Sequence, residues 1–97
     1  MGILNSKSIE KLFEAVMLLE SKEECMKFFE YVCTIKELQD MSQRLDVALQ
    51  LKKGKSYQEI SKNTGASTTT ISRVNRCLVY GNGGYNAILE KLAGETK

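Results

Sequence analysis

An all-α fold is what this sequence predicts, on three observations. The chain has no proline in 97 residues, so nothing in it removes a helical amide or forces a kink. Its long segments repeat apolar residues at spacings of three and four, the period of a helix rather than a strand. A hydroxyl residue is followed three places later by glutamate at Ser21/Glu24, Thr34/Glu37 and Ser56/Glu59, a pairing that satisfies orphan amides at a helix start. One domain spanning residues 1–97 is expected. A domain of this size buries a limited fraction of its surface, which makes oligomerisation a natural source of further burial.

Residues Met1 to Asn5 are expected to be loosely held, with Ser6 or Ser8 as the first cap. Ile9, Leu12, Phe13, Val16 and Leu19 then recur at helical spacing, while Lys7, Glu10, Lys11 and Glu14 face away. The Ser21/Glu24 pair starts a second helix near Lys22 that should bury Cys25, Phe28, Phe29 and Val32. Phe28 and Phe29 admit a ligand-box reading, but an aromatic pair at core spacing reads first as core. Thr34 and Glu37 announce the longest helix, Ile35 to Lys53, stopped by Gly54. Its apolar residues, Ile35, Leu38, Met41, Leu45, Val47, Ala48, Leu49 and Leu51, spread too far round the wheel for one neighbour. Burial on more than one side, in so short a chain, points to a second subunit.

The next stretch, Ser56 to Leu78, organises the rest. Ser56 and Glu59 open a short helix that Asn63, Thr64 and Gly65 close, with Gly65 suited to a left-handed bend. Ser67 caps a second helix whose Ile71, Val74 and Leu78 share one face. Ser61 is small where the two helices cross, and Ile60 and Ile71 are apolar where they meet. The opposite face carries Thr68, Thr69, Ser72, Arg73, Asn75 and Arg76. Two helices joined by a glycine-containing turn of this length form a helix-turn-helix, whose second helix can enter a DNA major groove. The run Tyr80-Gly81-Asn82-Gly83-Gly84-Tyr85 must then break that helix. It lacks the preceding strand and the following Lys-Ser/Thr of a phosphate-binding loop. A final helix with Ala87, Ile88, Leu89 and Leu92 should return onto the core or onto a partner.

The net charge is only +2, but it is unevenly placed. From Leu51 to Ala87 there are Lys52, Lys53, Lys55, Lys62, Arg73 and Arg76 against the single acid Glu59, a local +5 that leaves −3 for the remainder. Basic charge on a reading unit is the footprint of phosphate binding, although a solvated helical surface explains charge alone equally well. Cys25, Cys33 and Cys77 fit no zinc spacing and there is no histidine, so no metal is expected and free thiols in a reducing cytoplasm are. No stretch is long and apolar enough for a membrane span, and no signal-peptide pattern opens the chain. Without histidine or a nucleophile and base at motif spacing, an enzyme is not expected.

These features predict a sequence-specific protein that recognises double-stranded DNA through its helix-turn-helix, with a second subunit completing its burial. Lys52, Lys53, Lys55 and Lys62 would attract phosphates. Gln58, Ser61, Lys62, Ser67, Thr68, Thr69, Ser72, Arg73 and Arg76 form the candidate interface, with Thr68, Thr69 and Ser72 nearest base edges and Arg73 or Arg76 reaching guanine or phosphate. The rival is an effector-sensing or protein-interaction helical module whose polar face is merely solvated. RNA binding lacks the interleaved aromatics of common single-strand platforms.

The stretch CTIKELQDMSQRLDVALQLKKGKSYQEISKNTGASTTTISRVNRCL, followed by YGNGGY, resembles the tryptophan-repressor superfamily, and within it the small TrpR-related proteins of the YerC/YecD type. The resemblance covers nearly the whole chain. It implies a TrpR-like domain of about six helices in an intertwined homodimer that displays two reading heads about 34 Å apart and reads two half-sites, and hence a transcriptional regulator, expected to be a repressor acting as a homodimer. It also implies an effector cleft between the long helix and the recognition helix, at Thr34, Arg44, Thr70 and Arg73, where two arginines would hold an indole or pair a carboxylate. The chain departs from that pattern at Val74, where the family has a small glycine, and at Cys77, where it has an amino-group-binding serine. A branched side chain shrinks the cleft and a thiol bonds weakly. No cofactor is therefore expected, and a regulator without ligand or with a different small effector is expected ahead of one that binds L-tryptophan. Arg44 reads equally well as an ion-pair partner of Asp40 or Asp46.

Overall fold

The computed structural model describes residues 6–81 and 83–95, and side-chain environments as far as Leu92. The expectation for Met1 to Asn5 lies outside the described residues, as does Asn82 of the glycine run. The element order is α1 (Lys7–Met17), α2 (Lys22–Val32), α3 (Ile35–Lys52), α4 (Tyr57–Thr64), α5 (Thr68–Tyr80) and α6 (Gly84–Glu95). The fold is all-α, as the composition and period predict, with no strand among the described residues.

Helix starts follow the capping chemistry. Ser6, not Ser8, caps α1 by accepting from Ile9 N at 3.2 Å, and Ser21 caps α2 by accepting from Glu24 N at 3.1 Å. Glu24 reaches back to Glu20 N, one residue before the cap, at 3.3 Å. At α3 the reciprocal pair is complete, with Thr34 N donating to Glu37 Oε1 at 2.8 Å and Glu37 N to Thr34 Oγ1 at 3.1 Å. Helix α1 ends at Met17, short of Leu19, because Leu18 already caps it.

The chain divides into two compact units, residues 1–38 and 39–97. Among its described residues the first unit buries nothing: Leu12, Phe13, Met17, Leu18, Met26, Tyr31, Val32 and Ile35 are all exposed. The expectation that α2 buries Cys25, Phe28, Phe29 and Val32 is corrected accordingly. The first three are half-buried, and Val32 is 52% exposed. Two 11-residue helices are too little material to enclose a core. Phe28 and Phe29 do pack edge to face, with ring centroids 5.4 Å apart.

Among the described residues the core lies in the second unit and consists of Val47, Ala48, Ile60, Ala66, Ile71, Val74 and Leu89. Leu45, Leu49, Leu51, Tyr57, Leu78 and Tyr85 pack around it half-buried. Helix α3 thus covers only part of its wide apolar surface, with Met41 left exposed. Helix α5 packs against both α4 and α6. Asn86 Nδ2 donates to the Leu78 carbonyl at 3.0 Å, tying the returning α6 to the end of α5. From α6, Leu89 enters the core while Ile88 stays about half exposed.

Candidate nucleic-acid interface

The geometry of this site begins at the turn between α4 and α5. Gly65 has φ +76°, and its N–H donates to the Ser61 carbonyl at 2.8 Å, so the left-handed bend closes α4 as its sequence predicts. A side chain at 65 would find room, its nearest neighbour being Gln43 Nε2 at 3.9 Å. The requirement for glycine is therefore conformational rather than steric. Thr64 fastens the same corner, donating from Oγ1 to the Ile60 carbonyl at 2.7 Å and accepting from Ala66 N at 3.1 Å. Ser67 then caps α5, accepting from Thr70 N at 3.2 Å. With Ile60, Ala66, Ile71 and Val74 buried, the inward face of the hairpin is complete.

The outward face collects most of the predicted contacts. Gln58 and Lys62 on α4, and Thr68, Thr69, Ser72, Arg73 and Arg76 on α5, are all exposed, as is the cap Ser67. Lys52, Lys53 and Lys55 are exposed around the end of α3. Ser61 differs from the others. It is half-buried and its hydroxyl donates to the Ala66 carbonyl at 2.8 Å, so its proton holds the turn. Asn75 is half-buried beside this face. The arrangement presents short hydroxyls flanked by two guanidiniums, backed by a rigid apolar seam and fringed by lysines. Such a surface can donate to and accept from base edges while cations meet phosphates.

The residues of the expected effector cleft divide between the units. Thr34 belongs to the first, where its hydroxyl caps α3. Arg44, Thr70, Arg73 and Cys77 belong to the second; Thr70 is half-buried and the other three are exposed. Val74 is 3% exposed and faces the core. Asp46, one of the two ion-pair partners considered for Arg44, accepts from Gln50 Nε2 at 3.2 Å. Among the described residues no three histidine, cysteine or acidic side chains gather into a metal-holding group, and no helix is long and apolar enough to cross a membrane. A separate open cleft of about 260 Å³ lies between α3 and α6, lined by Leu49, Lys52, Lys53, Leu89 and Glu90.

Sequence reasoning passed over the side chains that attach this reading unit to α3. Gln43 Nε2 donates to the Thr64 carbonyl at 3.1 Å, and Asn63 Nδ2 donates to Gln50 Oε1 at 3.0 Å. Their signal was present: the two glutamines lie seven apart, and both share a helical face with Val47.

Three comparisons bear on this geometry. The sequence model of the Trp repressor protein family matches residues 7–93. The uncharacterized protein YerC of Bacillus subtilis (strain 168) is 47% identical over 89 residues, which span 92% of this chain and 86% of that protein. The crystal structure of a TrpR-like protein from Eubacterium eligens ATCC 27750 superposes with a TM-score of 0.92 at 46% identity, covering 96% of each chain. A Trp repressor candidate from Staphylococcus aureus, also solved by crystallography, gives 0.89 at 44% identity over 95% of this chain and 92% of its own.

Proposed function

This chain belongs to the Trp repressor protein family, and from that premise we propose that it is a DNA-binding transcription regulator that reads two half-sites as a homodimer. The observation that carries the reading is the division of α5. Ile71 and Val74 are sealed into the core, whereas Thr68, Thr69, Ser72, Arg73 and Arg76 are presented outward beyond a left-handed turn. A helix presented this way suits insertion into a major groove. Helix starts at α4 and α5 offer amides to the phosphates, and Lys52, Lys53, Lys55 and Lys62 supply the long-range attraction.

Dimerisation is supported by the first unit, where Leu12, Phe13, Met17, Leu18, Met26 and Tyr31 are exposed and no described side chain is buried. Large exposed apolar side chains in such number favour a protein interface. Two subunits, each completing the other, would set the recognition helices about one DNA turn apart. The whole chain then acts as one functional domain in the cytoplasm, and occupancy of a promoter represses transcription.

The reading requires no L-tryptophan. Val74 fills, from the core side, the place where the resemblance demands a glycine, and Cys77 offers a weak hydrogen-bond partner in place of a serine. Calorimetric titration with L-tryptophan is expected to give no heat of binding. A micromolar site would restore the tryptophan-dependent mechanism.

Fluorescence anisotropy with genomic duplex fragments tests the function itself. Binding should persist against competitor DNA and fall by roughly a thousandfold between 50 and 200 mM salt if about six phosphates are contacted. Thr69→Ala or Ser72→Ala should change which fragment is preferred and leave the subunit association untouched. Absence of any competitor-resistant complex would favour a helical interaction module instead.

A further inference from the structure

We propose that Gln43 and Gln50 are positioning residues for DNA recognition, which hold the reading unit at a set angle to α3 and thereby set the half-site spacing the protein accepts. The proposal rests on the DNA-binding reading above and assigns it a mechanism of geometric selectivity.

The joint between α3 and α4 is apolar at its centre, where Val47 and Ala48 meet the same core as Ile60. The hydrophobic attraction is not directional, and side-chain fit alone leaves a crossing angle free by about 15–20°. Hydrogen bonds are directional, and this joint has one on each side of its centre. Gln43 lies four residues before Val47 and Gln50 three residues after it, about 10 Å apart along α3. They grip consecutive residues of α4: Gln43 donates to the Thr64 carbonyl at 3.1 Å, and Gln50 accepts from Asn63 Nδ2 at 3.0 Å. A yoke attached at two separated points resists rotation about the point between them. The gripped residues immediately precede Gly65, where the direction of α5 is decided.

Burial supports an orienting role. Gln50 is the buried polar side chain of the described residues, 8% exposed, and both ends of its amide are used, since Nε2 also donates to Asp46 Oδ1 at 3.2 Å. An apolar side chain of similar volume would suit so buried a place at least as well, so the amide contributes orientation in place of raw stability. Its partners Asn63 and Asp46 are exposed and can turn to water when the amide is removed. Gln43 likewise satisfies one of the terminal carbonyls that α4 cannot satisfy itself.

The experiment uses the full chain. The wild-type protein selects its preferred duplex from a random 40-base-pair pool, and that duplex is remade with one base pair inserted or deleted at its centre. One base pair rotates one half-site against the other by about 35°, so the wild type should lose about tenfold or more in affinity on either altered duplex. The Q43M/Q50M protein should bind the original duplex about tenfold more weakly and discriminate among the three spacings by less than about threefold, with a thermal midpoint within about 5 °C of wild type. Asn63→Ala removes one pin from the solvent side and carries the test if the double variant does not fold. Added to Gln50→Met, it should cost no more affinity than either change alone. Unchanged spacing discrimination in a folded variant, Asn63→Ala included, overturns the yoke and leaves the DNA-binding reading intact. If the wild type selects no duplex, both fall together.

Discussion

Two regions of this chain begin from the same local chemistry and end differently. In residues 6–38, α1 and α2 are capped by serines as well as any helix in the molecule, yet no described side chain is buried. In residues 39–92, α4 and α5 use the same serine caps, and seven apolar residues close into a core. Caps set where a helix starts, but they contribute only about 1 kcal/mol each and cannot substitute for a covered apolar face. The difference teaches that capping fixes where a helix begins without burying it: the first unit has its helices but, among its described residues, no enclosed core.

The comparison breaks most sharply at Phe13, which is 53% exposed in the single chain. If that face is an interface, Phe13→Glu places an unpaired charge in it and should weaken the dimer by about a hundredfold or more, read by sedimentation equilibrium. A dimer indifferent to this change would mean that the first unit's apolar residues serve something else. Ile71, wholly buried in the second unit, should answer differently. Ile71→Ala removes core volume within the subunit and should cost about 2–5 kcal/mol in urea denaturation.

Smaller effects sharpen the contrast. Gly65→Ala should cost about 1–2 kcal/mol through the left-handed backbone alone, since a methyl there meets nothing closer than 3.9 Å. Gly65→Asn should recover part of the loss, and a larger penalty than this would reveal a clash that the packing does not indicate. Ser21→Ala and Ser67→Ala should each cost about 1 kcal/mol, seen as faster amide exchange in the first turn of α2 and of α5 respectively. Equal costs would confirm that capping is local in both units. A much greater cost at Ser67 would tie its cap to the turn fastened by Thr64 and Gly65.

Much of the candidate interface was legible because its signals are short-range. Ser56, Gly65 and Ser67 act on amides three or four residues away, and the three-four spacing of Ile71 and Val74 assigns the hydroxyl residues to the other side of α5. The small size and position of Ser61 say nothing about where its proton goes. Only the folded turn brings the Ala66 carbonyl within reach. Asn63 and Thr64 were legible as poor helix residues, but not as fasteners. Their bonds to Gln50 and Gln43 cross 13 and 21 residues of chain.

The sequence by itself determined the helical class, the helix starts and the bend at Gly65, since each depends on hydrogen bonds and backbone preferences within one turn. Tertiary structure alone decided which apolar faces are enclosed, which hydroxyls bond internally, and that two glutamines of α3 are bonded to the end of α4. Burial and partner choice are properties of residues distant in the chain, and only their meeting in space assigns them.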